Sequence, residues 1–178
     1  MSYLHLLNLV VATSAVILQP LIVVVIVLLC LRVKDNKFLD FIKKHFLLIG
    51  FVLSLSASLV SLYYSEIIGF LPCHLCWFQR IFMYPQVFLF GIAYWKKDIQ
   101  VARYAMPLLI IGTLIAIYHN FIYYFTEYAG PCDASGVSCV QRLVSEFNGY
   151  ISIPMLSLTV FVGLITLLLV AGLYKKRE

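Results

Sequence analysis

Five long apolar stretches occupy most of this chain, at about residues 6–31, 45–64, 77–95, 104–125 and 151–174. A helix needs about 20 apolar residues to cross the ~30 Å hydrocarbon core of a bilayer. Each stretch meets that length, and each is too long for a strand of a transmembrane barrel. With 63% hydrophobic and 12% charged residues and a mean hydropathy of +0.99, the chain has too little polar surface for a soluble domain of 178 residues. We therefore expect an all-α integral membrane protein. No repeat and no low-complexity tract interrupts it, and no stretch is left for a separate soluble domain.

The net charge of +5 is a topology signal rather than a sign of a nucleic-acid partner. Arg32, Lys34, Lys37, Lys43 and Lys44 follow the first stretch. Lys96, Lys97 and Arg103 lie between the third and fourth, and Lys175, Lys176 and Arg177 follow the fifth. These cations share one side, which the positive-inside rule makes cytoplasmic. Across the membrane lie Glu66, Glu127, Asp133, Glu146 and Arg142. The amino terminus is thus expected outside and the carboxyl terminus inside. The first stretch lacks a cationic leader, is too long for a signal peptide and has its positive charges after it. It reads as a retained helix in which Pro20 is a tolerated kink. Tyrosines at 63, 64, 123, 124, 128 and 150 form an outer interfacial belt, and Tyr94, Trp95 and Tyr174 an inner one.

Four of the five cysteines fall at the outer boundary, as two pairs. Cys73 and Cys76 form a C-x-x-C at the mouth of the third stretch, after Pro72, which suits the first turn of a helix. The unpaired N–H groups and dipole of a helix amino terminus favour a thiolate, the nucleophile of disulfide exchange. Cys73, Cys76 and Arg80 share one helical face, with Arg80 about 6 Å below Cys76. A cation in a span costs roughly 2.5–3.5 kcal/mol at mid-membrane. Arg80 can either snorkel to the headgroups or hold the carbonyl oxygen of a bound redox ligand.

Cys132 and Cys139 lie in a 25-residue outer connection, 126–150, beside the turn signals Gly130-Pro131 and Ser135-Gly136. A disulfide between them would close an eight-residue loop, worth roughly 2.5 kcal/mol of chain entropy. It is either a static staple or an exchanging pair. The C-x-x-C on the same face favours exchange. Apolar residues at 140, 143, 144 and 147 fit a short surface helix, or a plain loop. Cys30 falls at the cytoplasmic end, where thiols stay reduced, and reads as a packed apolar residue. His119, in the outer half of the fourth stretch, is either a hydrogen-bonded core residue or a group beside a bound ligand at the depth of Arg80. Zinc on Cys73, Cys76, His74 and His119 is the competing use of the C-x-x-C. Neighbouring Cys73 and His74 would point about 100° apart on a helix, which makes shared ligation awkward. Trp77 in place of a histidine excludes c-type haem attachment.

The run Pro72-Cys-His-Leu-Cys-Trp-Phe-Gln-Arg-Ile-Phe-Met-Tyr-Pro85 resembles the signature of the disulfide bond formation protein B family, in its BdbC-type branch of thiol–disulfide oxidoreductases. Tyr-His-Asn at 118–120, Gly-Pro-Cys at 130–132, Gly-Val-Ser-Cys at 136–139 and Ile-Ser-Ile-Pro at 151–154 extend the likeness over about 45–175. The resemblance implies a four-transmembrane-helix bundle over 41–178, with residues 1–40 an additional amino-terminal helix and its connection. It implies a monomer in the bacterial cytoplasmic membrane that reoxidises an extracytoplasmic thioredoxin-fold, DsbA-like oxidase. Electrons would pass to a quinone, ubiquinone or menaquinone. By position, Cys132 and Cys139 match the pair that meets the partner, and Cys73 and Cys76 the pair that faces the quinone. Arg80 matches an arginine at the quinone, and His119 a histidine near it. The second pair is closer in sequence than in the long-loop branch, which leaves open how it reaches Cys73. A vitamin K epoxide reductase-like protein is the alternative enzyme, although its C-x-x-C usually opens the last core helix. A Cys/His metal-binding membrane protein is the alternative outside that chemistry.

Overall fold

The computed structural model describes residues 2–33, 36–125, 138–140, 144, 147 and 149–174. Among these, all extended regular structure is helical: α1 (Ser2–Cys30), α2 (Lys37–Leu62), α3 (His74–Lys96), α4 (Val101–Phe125) and α5 (Ile153–Leu173). A π-helical turn, Tyr63–Ile67, continues α2. Cys132, the two turn signals, Arg142 and the three final cations lie outside the described residues. So does much of the segment 140–147, within which Val140, Val144 and Phe147 are not helical.

Among the described residues, four helices are long and apolar enough to cross a membrane: α1, α2 with its π turn, α4 and α5. The third expected span, 77–95, differs. Its helix α3 has 23 residues, or ~35 Å at 1.5 Å per residue, which is long enough. Gln79, Arg80 and Gln86 lower its apolarity, and all three are buried against other helices rather than facing outward. The outer surface elsewhere is strongly apolar: Val10, Ile17, Val23, Phe88, Leu114 and Phe121 are exposed. A face of that kind is stable against lipid and not against water.

Helix α2 packs on α3, α3 on α4, α4 on α5 and α5 back on α2, while α1 packs on α5. The turn from Lys97 to Val101 is short, so α3 and α4 run antiparallel. Two glycines set the closeness of this packing. A Cβ on Gly50 of α2 would meet the Phe90 ring of α3 at 2.5 Å, and one on Gly112 of α4 would meet the Phe161 ring of α5 at 2.4 Å. Both phenylalanines are fully buried. At the far end from the cysteine pair, Tyr174 ties the carboxyl end of α5 to α2. Its hydroxyl accepts from Asn36 N at 3.1 Å, and its carbonyl accepts from Lys43 Nζ.

Candidate functional site

At the other end of the molecule, the chain leaving α2 turns back on itself. Ile68 N donates to Tyr63 O at 3.1 Å and Phe70 N to Tyr64 O at 2.9 Å, and the Phe70 ring stacks on Tyr64. Gly69, at φ +82, supplies the left-handed turn this reversal needs. The result delivers Cys73 to the start of α3 as its N-cap, with Pro72 one position before the cap rather than inside the first turn. Both sulfurs sit at a helix amino terminus, as the C-x-x-C spacing implies.

Cys73 is buried and Cys76 partly so; both are free thiols with their sulfurs 3.2 Å apart. A hydrogen bond joins the two sulfurs, and with Cys76 as its donor Cys73 can give up its own proton. That hydrogen bond lowers the Cys73 pKa to about 4, against burial, which raises it, and with help from His119. Cys73 lies just outside α3, so this thiolate is at the mouth of the helix and not within it.

His119 is 1% exposed and joins three elements. Its Nδ1 lies 3.0 Å from Gln79 Nε2 on α3. Its Nε2 lies 3.0 Å from the Cys139 carbonyl oxygen and 3.9 Å from Cys73 Sγ. With the Gln79 amide donating to Nδ1, Nε2 carries the ring proton and donates to the Cys139 carbonyl. Cys139 is thereby held beside the first cysteine pair. Tyr124 Oη strengthens the placement by donating to Tyr150 O at 2.6 Å, and Asn120 Nδ2 by donating to Pro154 O at 2.9 Å. Cys139 is 3% exposed and disulfide-bonded.

Arg80 does not snorkel. It is buried, its Nε donates to Ser61 Oγ and its Nη2 to Ser61 O, both at 2.9 Å. Its guanidinium lies 5.3 Å from the Trp77 ring centre, within cation–π range. Cys73, Cys76, Arg80, His119 and Cys139 line one cavity of about 590 Å³. The structure thus brings together five of the six residues singled out in the sequence; the sixth, Cys132, lies outside the described residues.

Two positioning residues escaped the sequence reading, Gln79 and Ser61. Gln79 did leave a signal: with Met83, Gln86 and Phe90 it repeats at heptad spacing along the buried stripe of α3. A glutamine on such a stripe needs a partner. Ser61 left none, being one of five serines in the outer half of α2 and its continuation. Cys30 corrects an expectation. It ends α1 at the opposite face and is exposed rather than packed. On the last turn of α1, Leu28 and Leu29 pack against the core and Cys30 turns away from it.

The ligand atoms of Cys73, Cys76 and His119 fall within 4.8 Å of one another, a cluster that could hold a metal ion. Zn–S bonds near 2.3 Å at a tetrahedral angle would put the sulfurs ~3.8 Å apart. Here they are 3.2 Å apart, and both His119 nitrogens have other partners. His74 is exposed, with its ring against Phe78 and away from this cluster.

Comparison with known proteins fits a dithiol site. Residues 43–171 match the family model described as disulfide bond formation protein DsbB. Disulfide bond formation protein C of Bacillus subtilis is 44% identical over 122 residues, covering 67% of this chain and 87% of its own. A probable disulfide formation protein C 2 of Bacillus cereus is 36% identical over 140 residues, 79% of this chain and 98% of its own. A probable disulfide formation protein of Metapseudomonas resinovorans is 36% identical over 128 residues, 71% and 88%. No solved structure matches. The family match begins after α1 and contains both cysteine pairs, and on it the chain belongs to the disulfide bond formation protein DsbB family, as a membrane thiol–disulfide oxidoreductase.

Proposed function

We propose that this protein reoxidises an extracytoplasmic thioredoxin-fold oxidase, DsbA-like in kind, and passes the electrons through two cysteine pairs to a membrane quinone. The observation that carries the reading is the bridge at His119. One imidazole edge touches both the Cys73 sulfur and the Cys139 backbone, so the two pairs share one cavity with Arg80.

The relay balances as two dithiol–disulfide exchanges and one oxidation. A dithiol of the partner attacks a Cys132–Cys139 disulfide. The partner leaves oxidised, and Cys132 and Cys139 become thiols. One of these attacks a Cys73–Cys76 disulfide, which restores Cys132–Cys139 and leaves Cys73 and Cys76 reduced. The described thiols at Cys73 and Cys76, with Cys139 in a disulfide, correspond to this point of the cycle. The Cys73 thiolate is the better leaving group and the better-stabilised anion, which favours electrons arriving on this pair. His119 steadies that thiolate and holds the incoming loop. Arg80, fixed by Ser61, presents positive charge to an oxygen of a ligand beside Cys76. The residues fit a quinone: an apolar chamber with one buried guanidinium and a dithiol at its head. When bound, a quinone would supply a two-electron, two-proton acceptor for closure of the Cys73–Cys76 dithiol to a disulfide, a chemistry that ubiquinone and menaquinone share.

In this reading α3 crosses the bilayer with the others. Residues 41–178 form a four-helix redox bundle to which 1–40 add a helix. The bundle sits as a monomer in the bacterial cytoplasmic membrane, with amino terminus and redox cysteines outside and carboxyl terminus inside. The charge asymmetry supports that orientation. Family membership favours this relay over a vitamin K epoxide reductase-like arrangement. Purified protein given a reduced thioredoxin-fold oxidase and a quinone should turn over both, and Cys73→Ser or Cys76→Ser should abolish turnover. The metal reading rests on the Cys73–Cys76–His119 cluster. Stoichiometric zinc that shields Cys73 and Cys76 from alkylation and leaves no quinone-dependent turnover would establish it instead.

A further inference from the structure

Helix α1 lies outside the stretch matched to the family, yet it forms a wall of the redox cavity. Val11, Ser14, Ala15, Leu18 and Leu21 recur at helical spacing and face the same space as Cys76 and Arg80. The opposite wall is α2 with its π-helical continuation, from Ser65 back to Leu53. Those thirteen residues span ~18 Å along the helix axis. The cavity is therefore a slot that starts at the dithiol and runs down between α1 and α2, floored by α5 residues such as Val160 and Phe161. The Ser14 hydroxyl donates to Val11 O at 2.7 Å, so this wall offers little free polar capacity.

Apolar contact alone does not hold one helix against another in lipid; hydrogen bonds and close packing do. Helix α1 has both. Tyr64 Oη donates to Asn8 Oδ1 at 2.6 Å, Gln19 Nε2 to Thr159 Oγ1 at 3.0 Å, and Tyr150 Oη to Gln19 Oε1 at 2.9 Å. Ile22 reaches into the space over Gly163. Polar side chains within a span are costly unless paired. These pairs fix α1 in one register above the slot.

We propose that α1 is the tail-binding wall of the acceptor site: Ser14, Leu18 and Leu21 hold the first isoprenoid units of a prenylated quinone against α2 while its ring lies at Cys76 and Arg80. The inference rests on the quinone reading above and adds to it the source of selectivity, with α1 discriminating tailed from tail-less acceptors.

The test is binding, read by quenching of tryptophan fluorescence in the full-length protein with a prenylated quinone and with its tail-less parent. Ser14→Phe places a ring in the slot. It should weaken the tailed quinone by at least about tenfold, the order one or two lost apolar groups give, and leave the parent unchanged. Val10→Phe, on the exposed outer face of α1, should change neither. Leu18→Ala, which removes a contact without adding bulk, should weaken the tailed quinone alone. Equal effects of Ser14→Phe and Leu18→Ala on both quinones, or no effect on either, would overturn the role of α1. Wild-type protein that binds neither quinone saturably would overturn the quinone reading itself.

Discussion

Replacing Cys76 by alanine removes the largest cause of the low Cys73 pKa, the hydrogen bond across 3.2 Å, and leaves His119 and the backbone N–H of residue 76 as the remaining aids to the thiolate. With a pKa of about 4, Cys73 in the reduced wild-type protein is ionised throughout the neutral range, and its thiolate is lost only as the pH falls through that value. An ordinary thiol, with a pKa near ~8.5, is under ~1% ionised at pH ~6. The sign is fixed: a lowered pKa stabilises the reduced, ionised form above the pKa and stops doing so below it. Ultraviolet absorbance of the thiolate, followed by pH titration of the Cys132→Ser/Cys139→Ser background, reads this directly and needs no access of a reagent to the buried sulfur. The wild-type C-x-x-C should show one thiolate through neutral pH with an acidic midpoint. Adding Cys76→Ala should raise the midpoint by more than ~1 unit, a loss of over ~1.4 kcal/mol of preference for the anion. Adding His119→Phe to that should raise it again. A wild-type midpoint in the ordinary thiol range, or one indifferent to Cys76→Ala, would refute the thiolate argument.

Gln79→Leu strips the donor from His119 Nδ1 and leaves a buried nitrogen unpaired, at a cost of about 1–3 kcal/mol. Internal transfer between the two pairs, followed by rapid mixing, should slow by about tenfold or more. Ser61→Ala removes a charge-assisted hydrogen bond from Arg80, worth about 1.5–3 kcal/mol; KM for quinone should rise while exchange with the protein partner is unchanged. Gly112→Ala puts a methyl group 2.4 Å from the buried Phe161 ring and should destabilise the α4–α5 packing by about 1–3 kcal/mol, seen as a lower melting temperature in detergent.

Helix number was legible from apolar length alone, and so was the membrane-spanning character of four of the five, because a bilayer accepts few other solutions. The composition of α3 was less so. Gln79, Arg80 and Gln86 make it the least apolar of the five, and only their burial against α2 and α4 explains how such a helix fits among the others. The C-x-x-C with Arg80 beneath it was readable from spacing, since one helix fixes all three. His119 and Cys139 come from elements distant in sequence, and their meeting with Cys73 depends on packing no local pattern encodes. The π turn at Tyr63–Ile67 and the reversal at Gly69 were equally hidden. The register of α1 was out of reach for the same reason: Asn8 and Gln19 read as isolated polar residues until Tyr64, Tyr150 and Thr159 appear beside them.

The claim that the two pairs act in series is tested most directly by trapping the intermediate between them. In protein carrying Cys76→Ser, Cys73 cannot close on its own neighbour, and digestion under non-reducing conditions followed by mass spectrometry should find a peptide joining Cys73 to Cys132 or Cys139. Recovery of Cys73 only as a free thiol, with Cys132 and Cys139 still joined to each other after equilibration with a redox buffer, would contradict the account.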